Sequence, residues 1–189
     1  MARRHGAIVG YGTGGQAAAL ALARAGHQIQ VFERVPDPGP VGAGFLLQPT
    51  GLQALWRLGL LEAACALGAS VARLHGETAE GRAVMDMRYA DLDPRLTGIG
   101  MQRGALFALL HRAIAGEQGI ALRSDCAIVE LDCEAGRIRD AQGRWHGPYD
   151  LVVVADGAAS TLRAQVGDAR IDRPYPWGAL WCLLPAGEW

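Results

Sequence analysis

The 189-residue sequence contains no lysine and no asparagine; all 18 of its basic residues are arginine. The missing lysine excludes a Walker-type phosphate loop, which needs that ammonium, and any Schiff base formed on a side-chain amine. The missing asparagine excludes an N-glycosylation sequon. A surplus of positive charge is missing too. The 18 arginines face 19 carboxylates, for a net charge of −1, so no basic field is available to neutralise phosphates and nucleic acid is not an expected partner. Cysteine is sparse: Cys65, Cys126, Cys133 and Cys182 form no CxxC pair and show no metal-ligand spacing with the five histidines. They read as buried or incidental thiols, so no metal is expected and a reducing cytoplasm is the expected location. Long hydrophobic runs are absent as well. The start MARRHGAIVG imitates a secretory leader, but GYGTGG interrupts the apolar stretch, and nothing approaches the run of about 20 apolar residues that a membrane helix needs.

Half of the residues are hydrophobic, enough to bury a core, and the length suits one domain. Glycine is in excess, at 26 of 189 positions against a usual share of roughly 7%.

Residues 7–10 form a short apolar run that stops at glycine, as a buried parallel strand does. Residues 16–25 are rich in alanine and leucine and predict a helix, with Gly26 at the C-cap. Residues 28–33 return to strand. Together these make a strand–helix–strand unit of the size expected for a right-handed parallel crossover. A loop rich in proline and glycine follows at 36–44, then apolar spacing that predicts one helix over 50–67. Short strands are expected near 83–87 and 98–101, and a helix over 103–115. Segments 127–132, 136–140 and 143–145, separated by EAG and AQG, predict a small antiparallel meander. The run LVVVA at 151–155 again reads as a buried parallel strand, with a short helix starting at Ser160.

Gly10, Gly12 and Gly15 make a GxGxxG fingerprint between a predicted strand and a predicted helix. In that setting the first glycine permits the tight turn, the second lets backbone approach a pyrophosphate, and the third lets helix pack on sheet. The helix N-terminus then offers free N–H groups and partial positive charge to the anion, which brings Thr13 and Gly14 into the candidate site. Glu33 follows Gly15 by 18 residues at the end of the second strand, beside Arg34, where a carboxylate accepts hydrogen bonds from ribose hydroxyls. The alternative for Glu33 is a solvated charge at a strand end. The fingerprint alone does not separate FAD from NAD.

More of the chain joins this pattern. The runs GYGTGGQAAALALARAG and VFER, then GAGFLLQPTGLQALWRLGL, QRGALFALL and DLVVVADGAASTLR, resemble in order and spacing the FAD-dependent aromatic hydroxylases of the para-hydroxybenzoate or salicylate hydroxylase type. The resemblance covers Ile8 to Arg163. It implies an α/β fold: a Rossmann-like FAD-binding domain with a parallel sheet, a small antiparallel β-meander and part of a substrate-binding sheet. It also implies that Glu33 holds the adenosine ribose, and that the loop from Gly42 to Gln48, with Gly44 and Phe45, runs beside the flavin. Arg103, at the head of an R-x-x-L helix, is implied to contact FAD. Asp156 is implied to serve both FAD and the approaching nicotinamide cofactor, with Gly157 keeping the turn open. Read from the residues alone, the alternatives are a turn or helix-capping aspartate at Asp156 and a first-turn surface arginine at Arg103. The implied organisation is 1–70 for the dinucleotide-binding unit and flavin loop, and 71–101 for part of the substrate sheet. Residues 102–168 are the rest of the FAD domain, and 169–189 the start of an incomplete substrate domain.

The resemblance implies an FAD-dependent monooxygenase that uses NADH or NADPH and oxygen to hydroxylate an aromatic or similar small substrate. The alternatives are another FAD-dependent dehydrogenase or reductase of the superfamily, or a truncated, non-catalytic nucleotide-binding fragment. The flavin carries the hard chemistry, so no catalytic triad or carboxylate pair is required, and no side chain is assigned a proton-transfer role. The family's later Gly-Asp motif has no counterpart: Gly167-Asp168 falls too soon after Asp156 and follows a short predicted helix. The chain therefore reads as the front half of a longer flavoprotein.

Overall fold

In a computed structural model of the chain, residues 2–40, 42–167, 171, 173 and 175–178 are described. In chain order the elements begin with β1 (His5–Val9), α1 (Thr13–Arg24), β2 (Gln28–Phe32) and β3 (Gly44–Leu47). Then come α2 (Pro49–Arg57), α3 (Leu61–Cys65), β4 (Ala69–Val71), β5 (Arg73–Glu77) and β6 (Ala83–Arg88). A 3-10 turn (Tyr89–Asp91) leads to β7 (Gly98–Gln102) and α4 (Arg103–Ala115). The last elements are β8 (Ile120–Arg123), β9 (Ile128–Asp132), β10 (Arg137–Asp140), β11 (Trp145–His146), β12 (Leu151–Val154) and α5 (Arg163–Val166). They group into two compact units, one formed by residues up to Ala43 and from Leu110, the other by Gly44–Leu109.

The first unit is built on a parallel sheet in the order β12-β1-β2-β8. Ile8 at its centre pairs with Val31 on one side and Val153 on the other. Strand β1 is apolar after His5, as a strand covered on two faces requires, while β2 (QIQVF) alternates before ending in Val31 and Phe32. One face packs on the antiparallel meander β11-β10-β9: Ala7, Val9 and Phe32 of the sheet meet Ile128 and Ile138, with Cys126 and Leu162, in one buried cluster. The crossover, the meander and the parallel pairing of 151–154 match the expectations from sequence. Strand β8 was not expected, because its four residues are short and mixed in polarity and only pairing with β2 makes them a strand.

Two expected boundaries move. Helix α1 begins at Thr13 and not at Gln16. Its first turn holds glycines, poor helix formers, and close packing on the β1 turn compensates for that propensity. The single helix expected over 50–67 is two helices. Gly59 (φ +62°) ends α2 with the N–H of Gly59 on the Trp56 carbonyl and that of Leu60 on the Leu55 carbonyl, the paired bonds of a Schellman C-cap. Apolar spacing continues through that residue, so periodicity alone cannot show the stop.

The second unit carries a three-stranded antiparallel sheet, β3-β7-β4, and the β5-β6 hairpin. Strands β3, β4 and β5 were not expected; the first two are held by pairing with β7, which Phe45 joins opposite Met101. The expected strand start at 83 and helix over 103–115 are present. The short helix expected from Ser160 begins at Arg163. Cys182, Asp168 and most of the implied segment 169–189 lie outside the described residues. Among the described residues, no helix is long and apolar enough to cross a membrane.

Candidate functional site

The turn between β1 and α1 is shaped by what it cannot accommodate. Gly10 (φ +103°) donates its N–H to the Phe32 carbonyl at 2.8 Å. A Cβ there would lie 2.4 Å from the Ala155 carbonyl oxygen and 3.0 Å from Cα of Asp156. A Cβ on Gly15 would lie 2.0 Å from the Gly10 carbonyl oxygen, so the helix can approach the turn only at glycine. Gly12, Thr13 and Gly14 are exposed, and a Cβ on Gly12 or Gly14 would meet nothing within 4 Å. Helix α1 has no side-chain N-cap hydrogen bond and no acidic residue in its first turn. Free N–H groups, the positive end of a twelve-residue helix and open space above two glycines fit a bound pyrophosphate.

Glu33 sits just past the end of β2, half-buried. Its Oε2 accepts the Tyr11 N–H at 2.8 Å, and its Oε1 accepts the Val35 N–H at 3.0 Å. The carboxylate is thereby locked beside the glycine turn with lone pairs to spare, the arrangement a ribose diol requires. Arg34 is exposed.

Asp156 and Gly157 follow β12. The Gly10 clearances put the Asp156 backbone against the turn, so segments 10–15, 33 and 156–157 meet at the carboxyl ends of β1, β2 and β12. Open parallel sheets bind ligands at that end. A cavity of about 430 Å³ opens there, lined by Val154, Asp156, Gly157, Ser160, Arg163 and Val166. Arg163 donates to the Ala158 carbonyl at 2.6 Å and so ties the loop. The hydroxyl of Ser160 is buried without a hydrogen-bond partner.

In the second unit, Gly44 opens β3 opposite Gln102, and a Cβ on it would lie 3.2 Å from the Met101 carbonyl oxygen. Arg103 is exposed at the head of α4, with its guanidinium carbon 5.7 Å from the centroid of the Phe45 ring, in cation–π range. The structure thus brings Phe45 and Arg103 together, a pairing that their separation in sequence does not reveal.

The fold also makes a grouping that sequence spacing missed. Cys126, Asp140 and His146 place ligand-type atoms within 4.8 Å of one another. Asp140, 1% exposed, is already saturated. Its Oδ1 accepts the N–H groups of Gln142 (3.0 Å) and Arg144 (2.9 Å), and its Oδ2 accepts from Arg144 Nε (2.8 Å) and His146 Nε2 (2.9 Å). Burial pushes the Asp140 carboxyl up, and the bonds from His146 and Arg144 more than reverse this, holding it well below the usual carboxylate range. Arg144 already binds the carboxylate and Arg123 Nη1 lies 3.4 Å from Nδ1 of His146, so two guanidiniums border the group. The group is a hydrogen-bonded knot that closes the β10–β11 turn. An aspartate two residues before glutamine and three before the turn glycine is the local signal that could have found it.

Residues 5–184 match the FAD binding domain family. The chain belongs to that family. It is 32% identical to a kynurenine 3-monooxygenase of Salinispora arenicola over 204 aligned positions, covering 95% of this chain and 42% of the relative. Against the 3-hydroxybenzoate 6-hydroxylase of Polaromonas naphthalenivorans it is also 32% identical, over 86% of this chain and 42% of the relative. Among solved structures, a variant of 2-methyl-3-hydroxypyridine-5-carboxylic acid oxygenase superposes with a TM-score of 0.76 at 25% identity, covering 88% of this chain and 43% of the other. The chain therefore spans about two fifths of the length of these relatives, all of them named as oxygenases or hydroxylases.

Proposed function

We propose that this chain binds FAD and forms the cofactor-binding part of a monooxygenase that uses NADH or NADPH and oxygen to hydroxylate an aromatic or similar small substrate. The observation that carries the reading is the meeting of the glycine turn, the oriented Glu33 carboxylate and Asp156 at one end of the parallel sheet. The names of the relatives support the reaction class.

In this reading the backbone of Gly12, Thr13 and Gly14 receives the pyrophosphate, where α1 adds partial positive charge and no side chain intervenes. Glu33 accepts the adenosine ribose hydroxyls and repels a 2′-phosphate. Asp156 and Gly157 border the cavity at the end of β12. Gly44, Phe45 and Arg103 are assigned to the cofactor by the family resemblance, with the Arg103 guanidinium steadied on the Phe45 ring. When bound, the flavin supplies the electron transfer and oxygen chemistry; the protein contributes binding, orientation and exclusion of water.

The test is direct. Protein purified and incubated with FAD, then freed of unbound ligand, is expected to keep flavin absorbance, and Glu33→Ala is expected to lower the retained flavin at least ten-fold. NADH or NADPH oxidation with one oxygen atom entering an aromatic substrate supports the monooxygenase; oxidation with no oxygen incorporated assigns a dehydrogenase or reductase instead. Protein that retains no flavin at all overturns the binding assignment.

A further inference from the structure

The β1–α1 turn contains one residue with a side chain ahead of the helix, and it is held at both ends. Tyr11, between Gly10 and Gly12, is 1% exposed. Its backbone N–H donates to Oε2 of Glu33 at 2.8 Å, and its hydroxyl lies 2.8 Å from Nδ1 of His111 on α4. The two rings meet edge to face, with centroids 5.8 Å apart and planes at 86°. Burial pushes the Tyr11 hydroxyl up, offset in part by the nearby Gln16 amide, so the group stays a neutral hydroxyl across the working pH range. That amide is itself fully buried and makes no well-formed hydrogen bond of its own. Tyr11 and His111 belong to the same compact unit.

Glycine has more backbone freedom to lose than any other residue, and a turn of Gly-x-Gly followed by two further glycines is loose unless something outside it sets its path. Backbone bonds fix Gly10 from behind. Forward of Gly10, the only side-chain handle before the helix is Tyr11. A filler for the core would need only the ring; a phenyl group would serve as well. The hydroxyl on an imidazole nitrogen adds a directional contact, and it acts on the same residue whose N–H orients Glu33.

We propose that Tyr11 and His111 are a positioning pair: their hydrogen bond sets the backbone of Gly10–Gly12 for the dinucleotide phosphate and, through the Tyr11 N–H, sets Glu33 for the ribose. Tyr11 is buried, and in this proposal neither side chain is required to touch the cofactor. The pair acts through the turn and through Glu33, and the inference rests on the FAD reading above.

The test compares FAD affinity, by flavin fluorescence titration, in wild type, Tyr11→Phe, His111→Ala, His111→Gln and the Tyr11→Phe/His111→Ala double variant. Tyr11→Phe keeps the ring and its packing and is the primary probe. Each of Tyr11→Phe and His111→Ala is expected to raise the FAD dissociation constant roughly three- to ten-fold, the worth of one net hydrogen bond. The double variant is expected to be no worse than either single one, since both remove the same contact. His111→Gln, whose amide can meet the tyrosyl hydroxyl, is expected to recover most of the loss. In the flavin-free protein, hydrogen exchange at the residue-11 amide is expected to quicken in Tyr11→Phe. Equal affinity in wild type, Tyr11→Phe and His111→Ala overturns the positioning role and leaves the FAD reading intact. Additive losses in the double variant also overturn it, because they assign the two side chains to separate effects. Failure of the wild type to bind FAD overturns both.

Discussion

Two glycines one residue apart in the same turn of sequence stand in opposite surroundings. Gly15 has no room for a methyl group, with a backbone oxygen 2.0 Å from where Cβ would sit, while Gly14 faces open space within α1. Gly15→Ala is therefore expected to destabilise the protein by about 2–3 kcal/mol, read from the urea midpoint, because backbone must move. Gly14→Ala is expected to raise the stability of the flavin-free protein by up to about 1 kcal/mol, since alanine is the better helix former, and yet to weaken FAD binding where the phosphate needs that space. A stability loss in Gly14→Ala would show that its surroundings are less open than described. Asp140 makes a prediction in pH. Its carboxyl is held low in the folded protein and returns near the ordinary value of about 4 on unfolding. The folded state binds its proton less readily, so this contribution is fully present above about pH 4 and is lost as pH falls toward the folded value. Thermal melts from pH 7 to pH 3 are expected to show a falling Tm below pH 4. Asp140→Asn is expected to melt lower at pH 7 and to lose less on acidification. The carboxylates of Asp86, Asp93 and Asp132 are held low by neighbouring arginines too, but at exposed or half-exposed pairs that solvent screens.

At the scale of elements, the sequence pattern was legible where one period ran cleanly between strong stops. Strand β1, the α1 body, α4 and the meander follow from apolar runs, helix formers and turn signals. The stretch 50–67 was not legible, because leucines recur at helical spacing on both sides of Gly59 and the break lies in one residue's left-handed backbone. Gly59→Ala keeps the spacing and forces alanine into that conformation. It is expected to cost about 1 kcal/mol, with the loss seen as reduced stability and not as a longer helix in the circular dichroism signal. Strands β3, β4 and β8 were invisible for another reason. Three or four residues are too few to show a period, and they become strands only through the partner that supplies their hydrogen bonds. Helix α5 is similar in kind. Four residues cannot hold a helix alone, and this one is docked by Gln165, whose side chain accepts from the Leu131 N–H at 2.8 Å and donates to the Val129 carbonyl at 3.1 Å.

For the molecule as a whole, cofactor binding and folding are linked. A ligand present at 100 times its dissociation constant adds about 2.7 kcal/mol to the stability of the state it binds. FAD at that excess is expected to raise the Tm of wild-type protein by several degrees, and the rise is expected to vanish in Glu33→Ala; an equal rise in both would remove Glu33 from the site. By itself the sequence determined the class of fold and the location of the glycine turn, because both rest on local requirements. A tight turn needs glycine, a buried parallel strand needs an apolar run, and a helix N-terminus needs small residues in front of an anion. It also placed Glu33 and Asp156 at strand ends. Only the tertiary structure decided what those residues do to one another. Tyr11 joins Glu33 to His111, the Gly10 clearance brings Asp156 against the turn, Phe45 lies under Arg103, and Asp140 gathers Cys126, Arg144 and His146. Apart from the Asp140–Arg144 and Asp140–His146 bonds around one turn, these contacts join residues whose distance in space no local pattern encodes, because that distance is set by how strands pair and layers pack.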